Sequence, residues 1–125
     1  MMEVRGVKLN FDISCPEDLQ RYLRCNDEMA QKEQAAPLMP PKVETPDEQK
    51  AYAAWVTAMC RILTDWIDGV FGEGTSNALL GPKTSLREIL ALCDELRAAS
   101  EAQGKEISQR VQSFVPNRRT RQDKK

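Results

Sequence analysis

Residues 46–71 read PDEQKAYAAWVTAMCRILTDWIDGVF. Tyr52, Val56, Met59, Leu63, Trp66 and Val70 recur at spacings of 4, 3, 4, 3 and 4, the repeat that keeps side chains on one face of an α-helix. Trp55, Ile62, Ile67 and Phe71 widen that face beyond a coiled-coil seam, which favours burial on more than one side. Thr45-Pro46-Asp47-Glu48 has the spacing of a capping box with proline at the first helical position, and Gly72 supplies the stop. The pattern predicts a helix from Pro46 to Phe71, roughly 39 Å long at about 1.5 Å per residue. It is the expected spine of the fold.

Upstream, residues 35–46 (AAPLMPPKVETP) hold four prolines and read as an internal linker. Before it, Leu19, Tyr22, Leu23 and Met29, with Asn26 among them, form one stripe. They predict a helix over 16–34 whose C-terminal half, poor in apolar residues, is expected to fray. Ser14-Cys15-Pro16-Glu17 has capping-box spacing. Val7, Leu9, Phe11 and Ile13 alternate with Lys8, Asn10 and Asp12, the period of a half-buried strand. Arg5-Gly6 reads as a turn and Met2–Val4 as the partner strand. A two-stranded hairpin is marginal alone, so its apolar face must lie on helices.

Downstream, Gly72-Glu73-Gly74-Thr75 leads into a short helical turn at Ser76–Leu80, closed by Gly81-Pro82. Ser85-Leu86-Arg87-Glu88 is a third capping box, and Leu86, Ile89, Leu90, Cys93 and Leu96 mark the next stripe. Ile107, Val111 and Phe114 continue it past Gly104. One helix over 85–113 with a weak point at Gly104 is expected, with two helices as the alternative. The fold class is therefore mainly α within α+β: an N-terminal hairpin packed on a small helical bundle. Residues 1–115 form a single domain, and 116–125 form a basic tail expected to be disordered when free.

The chain of 125 residues is one domain's worth, with 41% apolar and 30% charged residues, a globular composition. Its net charge of −1 hides an asymmetry: Arg118, Arg119, Arg121, Lys124 and Lys125 face only Asp123 in the tail. The other 115 residues keep 13 basic and 18 acidic side chains. An acidic body would repel a nucleic-acid duplex, and no aromatic residue interleaves the basic ones. The tail therefore reads as a docking element for a protein, or as a solubilising segment, rather than a nucleic-acid arm.

Histidine is absent, which removes the commonest general base near neutral pH and any Ser-His-Asp or Cys-His arrangement. No enzymatic activity and no cofactor are expected. Glycines 72 and 74 lack the Gly-Lys-Ser/Thr ending of a phosphate loop and follow no strand. Cys15, Cys25, Cys60 and Cys93 have no Cys-x-x-Cys spacing, so a zinc site is not supported. Met1–Ile13 lacks the continuous apolar core of a signal peptide, and no apolar run approaches the ~20 residues of a membrane span. Free thiols and a cytoplasmic location are the expectation. Trp55 and Trp66 are eleven residues apart and share a face, either filling the core or lining an exposed groove or oligomer seam. Trp55, Met59 and Trp66, with Arg118, Arg119 and Arg121, are the candidate partner-binding residues. A second copy of the chain is a further candidate partner.

Read in order, GVKLNFDI (6–13) with PEDLQRY (16–22), FGEGTSNALLG (71–81), SLREILAL (85–92) and PNRRTRQ (116–122) resemble small phage and prophage proteins of Gram-positive bacteria. These are encoded among tail genes and regarded as tail-assembly chaperones or chaperone-like proteins. The tail reads Asn117-Arg118-Arg119-Thr120-Arg121 where that family pattern has a spaced Asn-Arg-x-x-Arg-Arg. The resemblance implies a protein of the bacterial host cytoplasm that coats a helical tape-measure protein before tail tubes polymerise around it. The competing expectations are a structural component that stays in the virion, a helical adaptor, and a nucleic-acid-binding regulator using the basic tail.

Overall fold

The computed structural model describes residues 1–82 and 84–115. Strands β1 (Met2–Val4) and β2 (Val7–Leu9) pair antiparallel, with Met2 opposite Leu9 and Val4 opposite Val7. Four helices follow: α1 (Pro16–Ala35), α2 (Pro46–Phe71), α3 (Thr75–Leu80) and α4 (Leu86–Phe114). The protein is thus mainly helical with an N-terminal hairpin, as its periodicities dictate.

The best-read element is α2. The Thr45 hydroxyl accepts from the Glu48 N–H while the Glu48 carboxylate accepts from the Thr45 N–H, closing a capping box, and Gly72 ends the helix at φ 118°. The carboxyl of Glu48 is held below its ordinary value by the Thr45 and Glu44 N–H groups it accepts from. The burial differs from expectation. No side chain from Pro46 to Arg61 is buried, whereas Ile62, Trp66, Ile67, Val70 and Phe71 are. Only the second half of α2 is core.

The core gathers around Phe11, Ile67, Val70, Ile89, Leu92 and Leu96, all with negligible exposure. Phe11 stacks obliquely on Phe71, with ring centroids 4.9 Å apart. Tyr22 and Phe71 both present edge-on geometry to Trp66, the arrangement aromatic quadrupoles prefer. On α4 the stripe is Ile89, Leu92, Cys93 and Leu96, not one that includes Leu90, which is about half exposed. Leu90 and Leu92 are two residues apart, about 200° around the helix, so only one can face inward. On α1 the inward face is Tyr22, Cys25, Asn26 and Met29, while Leu19 and Leu23 turn outward. Helix α1 runs from Pro16 to Ala35.

Two further expectations are corrected. Ser14 does not cap α1. Its N–H and hydroxyl both go to the Asp12 carboxylate at 2.9 and 2.6 Å, so Cys15 takes the N-cap position without a side-chain bond. Those two bonds also hold the Asp12 carboxyl below its usual range. Strand β2 stops at Leu9, short of Ile13. Beyond it, Gln103 of α4 takes over the backbone. Its Nε2 donates to the Phe11 carbonyl and its Oε1 accepts from the Ile13 N–H, both at 3.0 Å. A side-chain amide thus stands where a neighbouring strand would be, and the buried polar groups stay satisfied. Helix α4 runs unbroken through Gly104, whose bare Cα lies against Ile13; a Cβ there would be 3.7 Å from Ile13 Cγ2.

Candidate protein-docking surface

The two tryptophans have different fates. Trp66 is 3% exposed, its Nε1 donates to Asn26 Oδ1 at 2.7 Å, and the Arg97 guanidinium lies 5.6 Å from its ring centroid. It is a core residue, which corrects its reading as a docking residue. Trp55 lies beyond the core, half-buried, paired with Tyr52 at 5.8 Å between centroids. Val56 and Met59 are half-buried on the same side of the helix. The face that packs Trp66 inward therefore continues onto a stretch that nothing fully covers among the described residues.

Beside that stretch runs a groove of about 600 Å³ lined by Lys32, Ala54, Thr57, Ala58, Arg61, Ile62 and Asp65. Ala54 and Ala58 are four residues apart and share its floor, where small side chains let another backbone approach. Lys32 of α1 meets Asp65 of α2 at 3.5 Å across one end. The linker adds apolar surface near the start of α2, with Leu38 at 87% exposure and Met39 and Val43 also exposed. Sequence periodicity marked Trp55 and Met59 but missed the groove. Its only signal was the Ala54/Ala58 pair within AYAAWVTA, which an apolar-stripe reading treats as filler.

A second uncovered stretch is the end of α4. Ile107 is half-buried, but Val111 is 51% and Phe114 80% exposed. Arg118, Arg119 and Arg121 lie outside the described residues.

The polar groups of the body bind the fold together. Arg5, at the turn between the strands with φ 54°, grips Glu95 of α4 through two bonds of 2.9 and 2.7 Å and also reaches the Leu79 carbonyl. That pairing raises the arginine's pKa and lowers the glutamate's. Arg21 donates to the Val70 carbonyl at the end of α2 and to Asp18, which in turn accepts from the Asp12 N–H. Asp68 receives the Ser76 N–H and hydroxyl, fixing α3 onto α2. All four cysteines are unpaired, burial pushes the Cys93 thiol up to about 11, and burial also raises that of Cys25. Among the described residues no three His, Cys, Asp or Glu side chains converge as a metal site. No helix among them is long and apolar enough to cross a membrane.

Residues 5–125 match the family described as Family of unknown function (DUF6673), which covers almost the whole chain. The chain belongs to that family. No curated protein and no solved structure matches it.

Proposed function

We propose that this family member is a non-enzymatic, chaperone-like protein of phage tail assembly. It shields an apolar helical partner, a tape-measure or similar tail protein, in the cytoplasm of a bacterial host. The observation that carries this reading is the stretch of α2 from Pro46 to Arg61, which has no buried side chain yet bears Tyr52, Trp55, Val56 and Met59. Half-buried aromatic and thioether side chains beside a groove floored by alanines suit an amphipathic helix laid along α2. A face of this kind gives reversible cover, because much of its own surface is already sheltered and the remaining gain is moderate. The resemblance to tail-assembly chaperones supplies the partner class.

The test is co-expression with the tape-measure protein of the same genome. The chain should keep that protein soluble and co-purify with it. Trp55→Ser together with Met59→Ser should lose the complex while leaving the fold intact. A tape-measure protein equally soluble without the chain would overturn the reading. A structural tail component would use the same face but persist in purified tails, whereas a chaperone is absent from them.

A further inference from the structure

The inward face of α4 does not end where the core ends. Ser100 is fully buried, Gly104 lies against Ile13, Ile107 is half-buried, and Val111 and Phe114 stand in the open. These residues are spaced 4, 3, 4 and 3, the repeat of a coiled-coil seam. The last two turns of the helix thus present a seam with nothing across it among the described residues.

The charges along the helix select its occupant. Residues 94–106 hold four acidic side chains against two basic ones. Of these, Asp94, Glu101 and Glu106 are exposed and form no ion pair among the described residues. From 107 onward the sequence holds six basic residues against one acidic, Asp123. In sequence order an acidic stretch precedes the apolar residues 107–114 and a basic stretch, of which Arg110 lies on α4, runs through and beyond them, an order complementary to itself when reversed. A different partner would need that order inverted along its own stripe; a second copy already has it.

We propose that the end of α4 is a homodimer seam. Two copies pair antiparallel about a two-fold axis near Val111. Ile107, Val111 and Phe114 of each interdigitate, and the basic C-terminal residues of each reach the acidic stretch of the other. The reach is sufficient. Glu101 of the second copy lies about 15 Å past the axis at about 1.5 Å per residue, while the ten residues after Val115 span up to ~34 Å when extended. A contact carried by three apolar residues a side is short, so association is expected to be weak and reversible. The interface is isologous, so it closes at two copies. It uses α4 and is independent of the role given to α2.

Sedimentation equilibrium of the full chain, over low to high micromolar concentration, tests it. The expected result is a monomer–dimer equilibrium weakened by added salt. Val111→Glu with Phe114→Glu should leave a monomer with unchanged circular dichroism and thermal midpoint, because both side chains are exposed. A chain ending at Val115 should dimerise at least about tenfold more weakly at low salt and lose most of the salt dependence. A wild-type chain that stays monomeric throughout overturns the proposal, as does a dimer that survives the double substitution. A dimer indifferent to both salt and tail removal overturns the antiparallel charge pairing.

Discussion

Gly69 of α2 sits so close to Cys25 of α1 that a Cβ on residue 69 would lie 3.0 Å from Cys25 Sγ. The missing side chain is what lets α1 and α2 approach so closely there.

Two effects therefore compete in Gly69→Ala. Alanine gains about 1 kcal/mol of helix propensity, while crowding a packed contact costs about 1–3 kcal/mol. The substitution alone should be neutral or destabilising by up to about 2 kcal/mol. In a Cys25→Ala background it should stabilise by up to about 1 kcal/mol. Urea denaturation of the four-member cycle reads the difference; equal effects in both backgrounds would remove the close approach as the cause.

Stability should be concentrated in the second half of α2. Ile67 has no exposure, so Ile67→Ala is expected to cost about 2–5 kcal/mol. Tyr52→Ala, in the uncovered half, should cost under about 1 kcal/mol. If the two losses are comparable, the first half of α2 is packed in solution.

The contrast between those two positions shows what periodicity can and cannot read. Both ends of α2 were legible because the Thr45–Glu48 box and Gly72 act within a few residues of sequence. The depth of burial along the helix was not, since Trp55 and Trp66 share a face and differ in what lies against them: Tyr22 and Asn26 of α1 and Arg97 of α4 meet Trp66, while Trp55 pairs with Tyr52 of its own helix. In LREILALC the leucines at 90 and 92 both fit a helical stripe, and the choice between them belongs to the packing. Gln103 was invisible as a structural residue because its partners, Phe11 and Ile13, are some 90 positions away. Of the docking surface, Trp55 and Met59 could be read from their size and spacing. Ala54 and Ala58 could not, because a groove is defined by what its residues lack.

Gln103→Ala should leave the Phe11 carbonyl and the Ile13 N–H without partners and cost about 1–3 kcal/mol. Amide exchange at Ile13 should accelerate by more than the global loss of stability explains. Unchanged exchange at that amide would mean that Gln103 does not bind the loop.

The Arg5–Glu95 pair gives a pH signature. The Arg5 bonds hold the Glu95 carboxyl below its ordinary 4.5 in the folded protein. Folding is therefore favoured above that value, and the advantage fades as pH falls through the depressed folded value. Both side chains are partly exposed, so the pair contributes only about 0.2–1 kcal/mol. Glu95→Gln should destabilise by that amount near pH 7 and by progressively less as pH falls through the depressed folded value. A gap that persists in acid would assign the effect to packing instead of charge.

The hairpin and α4, joined by Arg5–Glu95 and by Gln103 with Phe11 and Ile13, come from opposite ends of the chain. During translation the hairpin leaves the ribosome before α4, which carries Glu95 and Gln103. Met2 and Val4 of β1, which packs on α4, must wait for that cover until α4 has emerged. Folding accordingly follows synthesis of α4 and cannot advance steadily from the hairpin onward. A fragment of residues 1–82 should show no cooperative unfolding transition, and a nascent chain stalled at that point is the form most open to a protease or holdase.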